Sequence, residues 1–293
     1  MPAIALGTVQ FGLDYGLTNS GGQISDREAQ RILQAAQEMG VGWLDTAAAY
    51  GNAEERLGSM LAGESHFSIC SKTLPTPQGQ SVLGSAQRSL DTSLTRLRRD
   101  NVDALLIHAA GDLLGVEGDA LWSWMVSARA QGMAHSLGIS VYDADEIEAV
   151  LQRCTPDWIQ LPCSLLDQRL VEAGVVAKLS SLGIKLQARS LLLQGVVSVA
   201  PDDLPEPLMT LHEPLLRLRR AAGRLGIGAI DMALAWAAAQ EIDLAVLGVT
   251  TVDELKQCVE AFQCNVEVDW SAFSCEDPAA VDPRKWPKGM RRV

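Results

Sequence analysis

Short apolar runs alternate with amphipathic stretches along the chain, each separated from the next by Gly or polar residues. A parallel sheet covered by helices writes this rhythm into a sequence, because its strands are buried on both faces and its helices on one. The runs Ala3 to Val9, Val41 to Asp45, Phe67 to Ser71, Val102 to His108, His135 to Ser140, Trp158 to Leu161, Ile184 to Ala188 and Leu244 to Gly248 predict eight strands. They show little apolar alternation, as expected of strands buried on both faces. Helical patterns follow over Ser25 to Met39, Ala53 to Leu61, Ser81 to Arg99, Asp119 to Gln131, Ala144 to Gln152, Val171 to Leu182, Ala229 to Gln240 and Val252 to Phe262. The pairs Ser25/Glu28, Asn52/Glu55 and Thr251/Glu254 have the spacing of capping boxes at helix starts. Eight strand–helix units predict an α/β protein built as a single (β/α)8 TIM barrel.

No Pro/Ser-rich linker interrupts the series, so residues 1–293 read as one domain. The longest departure is Leu191 to Gly228, where PDDLPEPL breaks regularity and Leu215 to Arg224 predicts an extra helix. Such an insertion at the strand ends is a candidate lid or substrate loop. The tail from Asp269 to Val293, with Pro278, Pro283 and Pro287, reads as irregular chain laid on the surface.

At 47% hydrophobic and 20% charged, the chain can bury a large core, which excludes disorder. Its formal net charge of −12 repels phosphate backbones and anionic membrane surfaces, so neither nucleic acid nor membrane is an expected partner. No apolar run approaches the ~20 residues of a membrane helix. The start MPAIALGTVQFG lacks the basic region and cleavage site of a signal peptide, which places the expected location in the cytoplasm. Six scattered cysteines without a C-x-x-C pair read as reduced core residues, including Cys70 and Cys163 beside the expected barrel mouth. Four histidines without ligand spacing predict no metal site. The basic run Arg96, Arg98 and Arg99 reads as a solvated helix face.

In a barrel of this kind, chemistry gathers where the strands end. Four polar residues stand there: Asp45 closes VGWLD, Tyr50 follows in TAAAYGN, Lys72 follows SICS, and His108 closes VDALLIH. They come from consecutive strands and are expected to be neighbours. A phenol titrates near ~10, and a cation close by lowers it toward the neutral range. Lys72 can be that cation, with Asp45 keeping it charged and aimed. His108 can then donate a hydrogen bond to a carbonyl while Tyr50 gives or takes the proton. No side chain is a hydride source, so a nicotinamide cofactor is implied.

The strings ALGTVQFG, LDTAAAYGNAEERLG, SICSKT, LLIH and LGIS, in this order over roughly the first 265 residues, resemble the aldo-keto reductases. The resemblance implies a (β/α)8 barrel, an NAD(P)H-dependent reduction of an aldehyde or ketone, and a catalytic tetrad of Asp45, Tyr50, Lys72 and His108. It implies that Gly7 and Thr8 lie near the cofactor and that Ser140 and Gln160 hydrogen-bond the nicotinamide carboxamide. It places Arg189 and Ser190 beside the nicotinamide, and the segment GVTTVDELKQC, with Gly248, Val249, Thr250, Thr251, Glu254 and Cys258, at the adenosine phosphate. Three departures stand out. Val141 replaces the usual Asn, and Arg189 the usual stacking Tyr, although a planar guanidinium also stacks. The phosphate segment offers only Lys256 as a cation. NADP is therefore expected from the resemblance alone, with NAD possible, and N–H groups near Thr251 are expected to hold phosphate oxygens.

The strings GTVQFGLDYG, QLPCSLLDQRL and RSLLLQG are most similar to a bacterial branch that accompanies surface-sugar biosynthesis, which implies a sugar-like carbonyl substrate. A second reading, favoured by Val141 and Arg189, is a dinucleotide-binding barrel acting as a non-catalytic sensor or partner subunit. A third is an enzyme that uses tightly held NAD internally, as an epimerase or lyase does. Substrate identity and oligomeric state carry no readable motif.

Overall fold

The eight apolar runs fold as parallel strands β1 (Ala3–Gly7), β2 (Trp43–Asp45), β3 (Ser68–Lys72), β4 (Val102–Ile107), β5 (Ala134–Ser140), β6 (Trp158–Pro162), β7 (Lys185–Arg189) and β8 (Leu244–Gly248) in a computed structural model describing residues 2–61, 66–287 and 290. Each pairs with the next, and β1 closes the barrel on β8 from Ala3↔Leu244 to Gly7↔Gly248. Helices cover the outside. The helix Asp26–Glu38 shows how: Ala29, Ile32, Leu33 and Ala36 recur at three- and four-residue steps and are buried against the sheet. Each fully buried Leu or Ile of this kind contributes roughly 1.5–3 kcal/mol.

Inside the barrel, side chains fill the space in layers. Ala5, Cys70, Ala104, Leu106, Trp158 and Leu244 form a second core with Trp43 and Val246, and the Trp43 and Trp158 rings meet edge to face at 5.8 Å. This packed plug closes the barrel below the site, as barrel layers do.

The structure departs from the sequence pattern where local geometry overrides periodicity. Strand β1 stops at Gly7, because Thr8 opens a short helical turn, Val9–Gly12. The helix expected over 171–182 divides into Arg169–Glu172 and Val175–Ser181 at Gly174, whose φ of +69° suits glycine. Residues 191–228 fold as the 3-10 turns Leu193–Ser198, Pro201–Asp203 and Glu206–Leu211, then the helix His212–Leu225. The tail is packed rather than laid on the surface. It buries Phe273, Cys275, Ala280 and Val281, although residues 288, 289 and 291–293 lie outside the described residues.

Ser25 and Thr251 do cap their helices through the N–H groups of Glu28 and Glu254. Asn52 does not: its Oδ1 accepts from Gln23 Nε2 instead, at 2.7 Å. The basic run is also more than a solvated face, since Arg96 lies 3.8 Å from the buried Glu54 carboxylate and Arg99 donates to the Phe67 carbonyl. Among the described residues, no helix is long and apolar enough to cross a membrane.

Candidate active site

Side chains of a strand alternate sides, so the residue two positions beyond a barrel-core residue faces the same interior, one layer nearer the mouth. On β1, β2, β3, β6 and β8 that step leads from Ala5 to Gly7, Trp43 to Asp45, Cys70 to Lys72, Trp158 to Gln160 and Val246 to Gly248. Past the end of β4 it leads from Leu106 to His108. The polar layer is thus the top of the same stack whose lower layers are apolar.

Lys72, fully buried, donates from Nζ to Asp45 Oδ2 at 2.7 Å, to the Thr46 carbonyl at 2.8 Å and to Tyr50 Oη at 3.5 Å. Gln160 Nε2 donates to the other Asp45 oxygen at 2.7 Å and to Gln187 Oε1 at 3.0 Å. Both carboxylate oxygens are therefore engaged, as a buried charge requires. The His108 ring meets Tyr50 edge to face at 5.9 Å.

Burial works against the Lys72 charge, but Asp45, together with Tyr50 and Cys70, holds the ammonium above its ordinary value. For Tyr50 the balance runs the other way from the expectation. Burial raises the phenol above its usual value, Asp45 adds to the rise, and the lowering by Lys72 is not enough to reverse it. Tyr50 is therefore a protonated phenol at neutral pH. Burial, together with the Lys72 and Arg189 charges, pulls His108 down to about 3, so its ring is neutral, and Nδ1 is buried without a partner among the described residues. Burial pushes Cys70 and Cys163 up to about 12, which keeps both as unreactive thiols.

Two glycines seat the Tyr50 loop. A Cβ at Gly12 would stand 1.7 Å from the Tyr50 carbonyl oxygen, and one at Gly51, where φ is +55°, would stand 2.3 Å from the Gly12 carbonyl oxygen. Both obstacles are backbone and cannot rotate away. Gly12→Ala is expected to destabilise the protein by about 2–4 kcal/mol and to displace Tyr50. Urea unfolding checks this, and a variant within about 0.5 kcal/mol of wild type would show that the loop is not held by this contact.

Around the polar layer opens a cavity of about 920 Å³. Asp45, Tyr50 and His108 line it, as do Gly7, Thr8, Ser140, Gln160, Arg189, Ser190, Gly248, Val249, Thr250, Thr251, Glu254 and Cys258. Lys72 stands behind Tyr50, outside the lining. Some of these groups are already committed: Thr8 Oγ1 donates to the Asp45 carbonyl at 3.0 Å, and the Cys258 thiol is held protonated by burial. At the start of helix Val252–Ala261, several N–H donors are engaged within the protein. Thr250 N donates to Glu254 Oε2 at 2.6 Å, Val252 N to Glu28 Oε1 at 3.3 Å and Glu254 N to Thr251 Oγ1 at 3.2 Å. These three donors near Thr251 are engaged by the protein's own oxygens.

Several lining groups have no counterpart in the sequence reading. The segment 15–25 crosses the mouth, where Leu17 N donates to the Gln194 carbonyl at 3.0 Å and Gln23 Nε2 to the Phe11 carbonyl at 2.8 Å. Its Gly, Asn and Ser content marks a loop but does not say where it lies. Arg189 lays its guanidinium 4.1 Å from the centroid of the Tyr142 ring and donates to the Val141 carbonyl at 3.0 Å. Arg284, from the tail, lies 3.6 Å from the same centroid and pairs with Glu146 and Asp282. The tail thereby braces a wall of the site.

Comparison with known proteins bears on the family and the fold. The model of the Aldo/keto reductase family matches residues 3–270. An aldo-keto reductase from Mycolicibacterium smegmatis is 33% identical over 156 residues, covering 51% of this chain and 53% of its own length. One from Mycobacterium tuberculosis is 35% identical over 133 residues, 44% of this chain and 45% of its own. The chain thus spans about half the length of the curated relatives it matches. Among solved structures, a glycerol dehydrogenase from Gluconobacter oxydans superposes with a TM-score of 0.70 at 18% identity, over 90% of this chain and 87% of that one. A structure from Pseudomonas aeruginosa described as an aldo-keto reductase gives 0.63 at 21%, over 89% and 90%. These two likenesses speak for the barrel alone, but the family match spans nearly the whole chain, and with it the chain belongs to the aldo/keto reductase family.

Proposed function

We propose that this chain is an NAD(P)-dependent oxidoreductase that reduces an aldehyde or ketone to an alcohol, reversibly, with Tyr50 as general acid/base. The observation that carries the reading is the buried relay in which Lys72 Nζ joins Asp45 Oδ2 at 2.7 Å to Tyr50 Oη at 3.5 Å, with neutral His108 beside the phenol. A dinucleotide fits the residues present. The cavity is continuous from Gly7 past Ser140 and Gln160 to Cys258, and a Cβ at Gly248 would come within 2.7 Å of Gln10 Nε2, so glycine keeps that wall open. Gln10 Oε1 is buried there without a partner among the described residues.

When bound, the reduced nicotinamide supplies the hydride that the carbonyl carbon accepts. The protein's own groups handle the rest. Tyr50 donates its phenolic proton to the carbonyl oxygen, and Lys72 stabilises the phenolate left behind. Asp45 keeps Lys72 charged. His108, neutral, donates a hydrogen bond that orients the carbonyl. Ser140 and Gln160 would hold the carboxamide, Gly7, Thr8 and Ser190 would border the ring, and Arg189 would offer a planar wall beside Val141. Gly248, Val249, Thr250, Thr251, Glu254 and Cys258 would receive the adenosine end. Ser20, Gln23, Gln194 and Ser198 also line the cavity, which supports a polyhydroxylated, sugar-like carbonyl as substrate.

Titration with NADPH and NADH, followed by tryptophan quenching, tests the cofactor, and a panel of aldehydes and sugar-like ketones tests turnover. Binding with turnover is expected. Failure to bind either dinucleotide would remove the reading, and tight binding without turnover would favour the sensor. Because His108 stays neutral above about pH 3 and Tyr50 keeps its proton, kcat/KM for reduction is expected to be flat from about pH 6 to 9. An inflection near 6.5 would show that His108 ionises in the working range.

A further inference from the structure

The start of helix Val252–Ala261 borders the cavity, and a helix start of this kind normally offers N–H groups and a positive dipole end to an anion. Here two carboxylates have taken the anion's place. Glu254 accepts from Thr250 N at 2.6 Å and from Thr250 Oγ1 at 3.0 and 3.1 Å. Glu28 reaches across from helix Asp26–Glu38, 224 positions earlier, and accepts from Val252 N at 3.3 Å. Both acids line the cavity. Arg31 pairs with the other Glu28 oxygen at 2.9 Å, is largely solvent-exposed and does not line the cavity. Among the described lining residues the only Lys or Arg is Arg189, which belongs to β7 and the Tyr142 stack.

We propose that Glu254 and Glu28 make this chain select NADH over NADPH. The proposal rests on the dinucleotide reading above and names which dinucleotide that site takes. A 2′-phosphate brought to this helix start would find the Thr250, Val252 and Glu254 N–H donors engaged and the Glu254 and Glu28 carboxylates in the same cavity wall. A ribose with free 2′- and 3′-hydroxyls meets acceptors instead: a carboxylate has about four lone-pair sites, and the bonds already made leave room for a hydroxyl donor. The same charge that repels the phosphate therefore attracts the diol. This reverses the preference for NADPH implied by family resemblance.

Equilibrium dissociation constants for NADH and NADPH, read by fluorescence on the full chain without carbonyl substrate, test it. Wild type is expected to bind NADH at least about tenfold more tightly, a like-charge discrimination that shrinks as salt is added. Glu254→Gln keeps an oxygen to accept from Thr250 N and removes the charge. It is expected to tighten NADPH binding about tenfold and to weaken NADH binding about threefold, because the diol loses the charge but keeps an acceptor oxygen. Glu28→Gln, which acts from another helix, is expected to move NADPH in the same direction and covers the case in which the first variant fails to fold. Equal affinities in wild type, or variants that shift both dinucleotides equally, would overturn the proposal. Absence of binding by either dinucleotide would instead overturn the dinucleotide reading.

Discussion

Tyr50→Phe is expected to lower kcat for carbonyl reduction by about 10³-fold or more while leaving the dissociation constant of the dinucleotide within about twofold. The substitution removes one oxygen and little else. The ring keeps its edge contact with His108 at 5.9 Å, and Lys72 keeps its bonds to Asp45 and the Thr46 carbonyl. The Lys72–Tyr50 contact, at 3.5 Å, is long, so its loss is expected to cost less than about 1 kcal/mol of stability. The missing function is a proton at the right atom. Because burial holds the Tyr50 phenol above its ordinary value, wild type enters each reduction with the acid already loaded, and phenylalanine has no proton to give. Steady-state turnover beside a binding titration separates the two effects. A kcat within tenfold of wild type would mean that another group, or solvent, protonates the carbonyl oxygen, and the assignment of Tyr50 would fall.

The parts of this molecule that the sequence made legible are those set by periodicity and by position at a strand end. Asp45, Lys72 and Gln160 each stand two residues beyond an apolar core residue, so placing the strands placed the polar layer. Tyr50 follows from the loop length after β2. What remained illegible depends on partners distant in the chain. Nothing local to Val252 announces that Glu28 caps it, and nothing in the tail announces that Arg284 stacks on Tyr142. Asn52 has the spacing of a cap, yet Gln23 competes for its side chain. The direction of the Tyr50 shift was illegible for a different reason. The sequence names the cation that lowers it, but the burial that raises it is a property of the closed site, and burial is the larger effect.

Lys72→Met is expected to destabilise the protein by about 3–5 kcal/mol and to lower turnover by about 10²-fold or more, because it breaks a buried ion pair from one side. Lys72 is fully buried and Asp45 nearly so. Without the ammonium, Asp45 keeps the Gln160 amide on Oδ1 but loses the cation paired with its buried charge. Adding Asp45→Asn removes that stranded charge, and the double variant is expected to recover most of the lost stability. Turnover is not expected to return, since neither neutral side chain stabilises the Tyr50 phenolate. The pH dependence has a definite sign. The folded value of Lys72 is raised, so its contribution to stability is complete below about pH 10.5, its value in an unfolded chain, and is lost as pH rises toward the folded value. Tyr50, also raised, makes the folded state lose ground above about pH 10 in the same sense. Wild type is therefore expected to weaken steeply in alkali, and Lys72→Met less steeply, from a lower starting stability. Urea unfolding of the wild type, both single variants and the double variant between pH 7 and 11 closes this cycle. Stability unchanged in Lys72→Met would show that the pair is not the buried contact described, and turnover restored in the double variant would show that the reaction does not need the cation.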